Sequence, residues 1–145
     1  MLASSDKPKI VFDTVRKTYP AVKSGSEEVV AIGELQLSIR ESEIFSIVGP
    51  TGCGKSTALN LIAGFEFPTA GNLALDGAPV RGPGPDRAVV FQQPALYPWF
   101  NVIENVTLGV QCKGVPRNEY LPRAHALLKA VGLSGFEKSF PYQIS

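Results

Sequence analysis

Cysteine is nearly absent from this chain. Cys53 and Cys112 are the only two, far apart and in no paired metal-ligand spacing. That excludes a disulfide framework and reads as two free thiols in a reducing compartment. Charge of one sign is also missing: the formal net charge is +1. No strongly basic field exists to neutralise a phosphate backbone, so nucleic acid is not an expected partner. No apolar run approaches the roughly 20 residues of a membrane-spanning helix. Met1–Lys9 carries Ser, Asp and Lys without an apolar core or cleavage pattern, which excludes a secretory signal. Histidine occurs once, at His125.

What is present suits one α/β domain: 145 residues, 44% hydrophobic and 19% charged, without repeats or low-complexity segments. Short strands are expected at Ile10–Phe12, Val29–Ile32 and Leu35–Ile39, the last with alternating Leu35, Leu37 and Ile39. Gly25, between Ser24 and Ser26, marks a turn. Ile44–Val48 is a short apolar run ending in Gly49, the pattern of a buried strand. From Lys55 to Ala63 the period becomes helical, with Gly64 as the stop. Leu73-Ala74-Leu75 running into Asp76-Gly77 predicts a hairpin. Arg81–Asp86 reads as a Gly/Pro loop, Ala88–Phe91 as another buried strand, and Ala124–Val131 as a helix ended by Gly132. Phe140–Ser145 forms no finished element.

Gly49-Pro50-Thr51-Gly52-Cys53-Gly54-Lys55-Ser56 satisfies G-x-x-x-x-G-K-[ST] at every fixed position. Glycines at 49, 52 and 54 allow the backbone to turn successive N–H groups inward as an anion nest. The helix beginning near Lys55 adds unpaired N–H groups and a positive dipole end. Lys55 is expected on the β- and γ-phosphates of a nucleoside triphosphate, Ser56 on Mg²⁺, and Thr57 on a further phosphate oxygen. The dipole contributes about 0.3–1 kcal/mol, whereas each charge-assisted hydrogen bond adds about 1.5–3. The backbone nest and Lys55 therefore dominate. An apolar strand before the loop and an amphipathic helix after it weigh against a chance Gly-rich turn. Cys53, inside this nest and beside Lys55, is expected to react with thiol reagents and to be shielded by nucleotide.

Several dispersed segments resemble the ATP-binding subunits of ABC transporters, most of all the nitrate/sulfonate/taurine-type importers. They are Lys17-Thr18-Tyr19, Gly49–Thr57, Pro68-Thr69-Ala70-Gly71, Leu75-Asp76-Gly77, Gly82-Pro83-Gly84-Pro85-Asp86-Arg87, and Val90-Phe91-Gln92-Gln93-Pro94-Ala95-Leu96-Tyr97-Pro98-Trp99. The resemblance implies a P-loop core sheet with an N-terminal antiparallel β subdomain, and ATP with Mg²⁺ as the bound species. It gives Tyr19 the role of stacking on adenine; an ordinary edge-strand aromatic is the other reading. It gives Gln92 the Q-loop position, touching Mg²⁺ and the attacking water; a solvated loop Gln is the alternative, and Gln93 is the candidate one residue on. The segment Ala95–Phe100, with Tyr97, Trp99 and Phe100, either faces a membrane-spanning permease subunit or forms local core. The resemblance further implies a second copy in a head-to-tail dimer, an indirect link to a substrate-binding protein, and a peripheral place on the cytoplasmic side of the membrane.

The family pattern also includes an acidic residue ending a later apolar strand, a catalytic Glu and a switch His. Asp76 is followed by Gly77 and reads as a turn residue. Glu104, Glu119 and Glu137 follow no apolar strand. His125 lies in a helix without a catalytic partner and reads as a solvated residue. Ser42 stands where the family usually has Gly. Tyr142-Gln143-Ile144-Ser145 resembles the entry to the signature segment, so residues 1–145 are expected to be the N-terminal part of a longer ATP-binding domain, without catalytic residues of its own. Two rivals remain: a nucleotide-binding half-domain without turnover, and a soluble ABC-type ATPase unconnected with transport.

Overall fold

Alternating apolar residues near the N-terminus form two long strands instead of three short ones. The computed structural model describes residues 7–21, 27–93 and 95–144. The Gly25 turn, the first six residues, Pro94 and Ser145 lie outside these. The chain divides into two compact units, Met1–Val89 and Val90–Ser145.

In the first unit, β1 (Pro8–Tyr19) pairs with β2 (Val29–Arg40) on one side and with β3 (Ala70–Leu75) on the other. A two-residue β4 (Ala78–Pro79) completes an antiparallel sheet of order β2-β1-β3-β4. β2 fuses the expected strands Val29–Ile32 and Leu35–Ile39. Gly33 does not interrupt it, because a register shift on β1 between Val15 and Lys17 absorbs the irregularity there. The expected alternation holds: Leu35, Leu37 and Ile39 are shielded, while Gln36 and Ser38 are exposed. Asp76-Gly77 closes the predicted hairpin, with Leu75 opposite Ala78.

Phe12 faces Leu37 on one neighbouring strand and Leu73 on the other. With Val15 and Leu61 it forms the core cluster, where Leu61 comes from α1 (Lys55–Ala63). Complete burial of side chains such as Phe12 and Leu61 stabilises by about 1.5–3 kcal/mol each, which fastens α1 to the sheet. The helix has its predicted bounds. Gly64 ends it in the left-handed conformation, φ 78°, its N–H reaching Leu61 O, where a side chain would strike the Gly82 carbonyl.

Two expected strands are not formed. Ile44–Val48 makes no ladder, with Ile44 98% and Val48 91% exposed, and Ala88–Phe91 is likewise without strand pairing, with Val90 93% exposed. Periodicity reports that a segment is apolar, but a strand exists only where a neighbour supplies ladder hydrogen bonds. No described segment does so for either run. A cleft of about 490 Å³ separates β2 from Phe45–Val48 and reaches Cys53, Gly54 and Lys55.

The second unit contains α2 (Val102–Cys112), α3 (Arg117–Ala130) and a short 3₁₀ turn at Pro141–Gln143. α2 opens with a capping box: Asn101 Oδ1 accepts from Glu104 N at 2.9 Å, and Asn101 N donates to Glu104 Oε2 at 2.8 Å. The next two orphan donors, Val102 N and Ile103 N, reach Ser139 O and Glu137 O. α3 starts seven residues before the expected Ala124, with Pro122 inside it. Its Gly132 stop is as predicted. No described helix is long and apolar enough to cross a membrane.

Candidate phosphate-binding site

The segment between Val48 and the core-anchored Leu61 is held by few contacts of its own, and its geometry follows from two constraints. Gly54 adopts φ 90°, and a Cβ there would lie 2.5 Å from Ala31 O on β2. Only glycine lets the loop pass this close to the sheet. Gly54 then serves as N-cap, its carbonyl accepting from Ala58 N at 2.8 Å. No side chain caps this end of α1, and its first turn contains no acidic residue. Its positive end is therefore uncompensated by the chain, and an anion is the species it favours.

Lys55, the first helical residue, folds over the loop. Its Nζ donates to Gly49 O at 2.8 Å and Pro50 O at 2.6 Å, and lies 3.5 Å from Cys53 Sγ. Thr51, Gly52 and Cys53 form the exposed tip. Ser56 stands exposed in the first turn, with its hydroxyl available as a hard oxygen ligand, and Thr57 beside it is half-buried. An ammonium folded over the loop, an uncapped helix start and a neighbouring hydroxyl suit a polyphosphate carrying Mg²⁺.

Tyr19, the base-side candidate, ends β1 in the same unit. Its hydroxyl donates to Glu66 Oε2 at 2.6 Å and also meets the Thr57 hydroxyl. Glu66 in turn accepts from Asn60 Nδ2 at 3.1 Å on its other oxygen, and Lys17 Nζ lies 3.2 Å from Oε2. Lys17 also sits 4.9 Å from the centre of the Tyr19 ring and donates to Phe67 O at 3.0 Å. The Tyr19 hydrogen bond, followed by those of Asn60 and Lys17, holds the Glu66 carboxyl below the usual carboxylate range despite some burial. Glu66, with burial adding to its effect, raises the Tyr19 phenol above its ordinary value, against a smaller opposing effect of Thr57.

The structure thus brings Tyr19 and residues 49–57 into one unit. Gln92 and Gln93 belong to the other unit, both exposed and outside regular structure. There too, Tyr97, Trp99 and Phe100 form a mutual aromatic cluster with ring centres 5.5–6.3 Å apart, Trp99 remaining 66% exposed. Asp76 is a turn residue as expected, paired with Lys9 at 2.7 Å. His125 is exposed on α3, its Nδ1 3.7 Å from Glu137. Sequence reasoning missed Glu66 and Asn60: Glu66 is 47 residues from Tyr19, and no spacing rule links them. The one available signal was its place two residues before the quoted Pro68-Thr69-Ala70-Gly71 segment.

Comparison with known proteins bears on the family of the chain. Residues 32–145 match the family model described as ABC transporter. An ABC transporter ATP-binding protein of Methanocaldococcus jannaschii is 44% identical over 139 residues, covering 96% of this chain and 51% of that protein. The taurine import ATP-binding protein TauB of Burkholderia pseudomallei is 50% identical over 110 residues, 76% of this chain and 42% of its own. A dimeric ATP-binding cassette solved in a post-hydrolysis state with ADP and Pi superposes with a TM-score of 0.77 at 34% identity, covering 94% of this chain and 63% of that one. The chain spans about half the length of the curated relatives it matches. Together, the P-loop on α1, the antiparallel sheet beneath it and these similarities show that the chain belongs to the ABC transporter family.

Proposed function

We propose that residues 1–145 are the N-terminal part of the ATP-binding subunit of an ABC importer, and that they bind Mg·ATP. The observation that carries this reading is the Lys55 side chain poised over a loop that feeds an uncapped helix N-terminus. Gly49–Thr57 takes the phosphates, with Lys55 on the β- and γ-groups and Ser56 holding Mg²⁺, which would neutralise phosphate charge. Tyr19 takes the adenine. Gln92 is the second residue proposed for Mg²⁺ and for orienting water. The subunit couples ATP hydrolysis to uptake of a small oxyanion such as nitrate, sulfonate or taurine; the taurine importer relatives support this class. Its partners are a membrane-spanning permease subunit, met through the Tyr97-Trp99-Phe100 cluster, a second copy arranged head to tail, and indirectly a substrate-binding protein. It acts peripherally on the cytoplasmic face.

For the chain taken alone, binding without turnover is the favoured reading. Among the described residues, the sole carboxylate directly following an apolar strand after Lys55 is Asp76, and it is committed to a turn and to Lys9. Calorimetric titration with Mg·ATP and a phosphate-release assay test both parts. Saturable binding that Lys55→Ala weakens at least tenfold, without phosphate release, is the expected result; about 1.5–3 kcal/mol per charge-assisted bond corresponds to roughly 10- to 150-fold. Equal binding by the Lys55→Ala variant would overturn the phosphate reading.

A further inference from the structure

Glu66 gathers donors from two separate elements, and they converge on the Tyr19 end of β1. Three groups approach its two oxygens: the Tyr19 hydroxyl, the Asn60 amide from α1 and the Lys17 ammonium from β1. The backbone beside it is fastened to the same strand. Thr69 N donates to Arg16 O at 2.8 Å, and Thr69 Oγ1 accepts from Thr18 N at 2.9 Å. Asn60 O also accepts from Phe65 N and Glu66 N, so the carboxylate is carried on the C-terminal turn of the helix whose N-terminus bears Lys55 and Ser56.

We infer that Glu66 is a positioning residue for nucleotide recognition: it clamps the Tyr19 ring to α1, fixing the ring that stacks on the base relative to the loop that takes the phosphates. The inference rests on the Tyr19–adenine reading given above. A tyrosine at a strand end retains freedom about two side-chain torsions, and stacking a base on a mobile ring loses ordering entropy. The hydroxyl anchored on Glu66 removes that freedom before binding. Lys17 Nζ lies over one face of the ring, 4.9 Å from its centre. Glu66 does not touch the nucleotide in this scheme. Its effect passes through the Tyr19 hydroxyl, and it should therefore matter for ATP and not for a ligand without a base.

The test compares Mg·ATP with Mg·tripolyphosphate by calorimetry on the full chain, for wild type, Tyr19→Ala, Tyr19→Phe, Glu66→Ala and the Tyr19→Phe/Glu66→Ala double variant. Tyr19→Ala removes the platform and should weaken ATP by roughly 5- to 150-fold while sparing tripolyphosphate. Tyr19→Phe keeps the ring but cuts the tether. It and Glu66→Ala should each weaken ATP by about three- to tenfold, a fraction of the whole stack, again sparing tripolyphosphate. The double variant should lose no more than either single one, since both cut the same link. Loss of ATP affinity in Tyr19→Ala with none in Tyr19→Phe and Glu66→Ala overturns the positioning role and leaves the stacking role standing. An unchanged ATP-to-tripolyphosphate ratio in Tyr19→Ala overturns both. Equal loss for both ligands in Glu66→Ala assigns Glu66 to general stability and also overturns the inference. Tyr19→Phe, which removes one oxygen, still decides the matter should Glu66→Ala not fold.

Discussion

Lys55 has two carbonyl partners within the loop, Gly49 O and Pro50 O, before any anion arrives. Phosphate oxygens must displace them, so the net gain from this ammonium is an exchange of partners rather than a bond formed from nothing. The same ammonium lies 3.5 Å from Cys53 Sγ on the exposed loop tip. A thiol-specific reagent should therefore modify Cys53, and saturating Mg·ATP should slow that reaction severalfold. Equal rates with and without nucleotide, read by mass spectrometry of the modified peptide, would remove Cys53 from the nucleotide's reach. The Tyr19–Glu66 pair makes a second expectation, in pH. Glu66 is held low, so its contribution to stability is present above the ordinary carboxylate value of about 4.3 and is lost as pH falls through its depressed value. Tyr19 is held high, so its contribution is present below about 10 and is lost as pH rises through its elevated value. Thermal melts should show a broad plateau between these limits, and Tyr19→Phe should remove the alkaline edge that Tyr19 contributes.

Within single elements, local chemistry decided what could be read in advance. The bounds of α1 were legible because its start and stop are set by residues at its own ends, Gly54 and Gly64. Gly64→Ala tests the latter: a left-handed non-glycine costs about 1–2 kcal/mol, and the Gly82 carbonyl stands where the new methyl would go. A loss of more than 1 kcal/mol in denaturant unfolding is expected. The Asp76-Gly77 hairpin was legible for the same reason. α2 was not anticipated, although Asn101 and Glu104 spell a capping box, because the prolines and aromatics just before it obscured the helical period. Asn101→Ala should cost about 1 kcal/mol, seen as faster amide exchange in the first turn of α2. Pro122 hid the first half of α3 by reading as a helix breaker.

Across the whole chain, the phosphate loop was legible because its residues are contiguous, and Glu66 was not because Tyr19 and Lys17, its partners on β1, lie 47 and 49 residues away along the sequence. The apolar runs 44–48 and 88–91 show the converse: their composition is that of strands, while their state depends on partners that sequence spacing cannot supply. Ile44-Phe45-Ser46-Ile47-Val48 has a consequence for the behaviour of the chain in a test tube. It is an uncharged, strand-prone stretch without proline, with Ile44 and Val48 almost wholly in water. Only Glu43 on one flank and Pro50 on the other act as gatekeepers against self-association. Light scattering should rise steeply with protein concentration, and Ile44→Lys should suppress it while leaving Mg·ATP affinity unchanged. Solubility would then be governed by five residues directly upstream of the nucleotide loop, and a preparation that clouds on concentration would be reporting an uncovered apolar run, not a defective site.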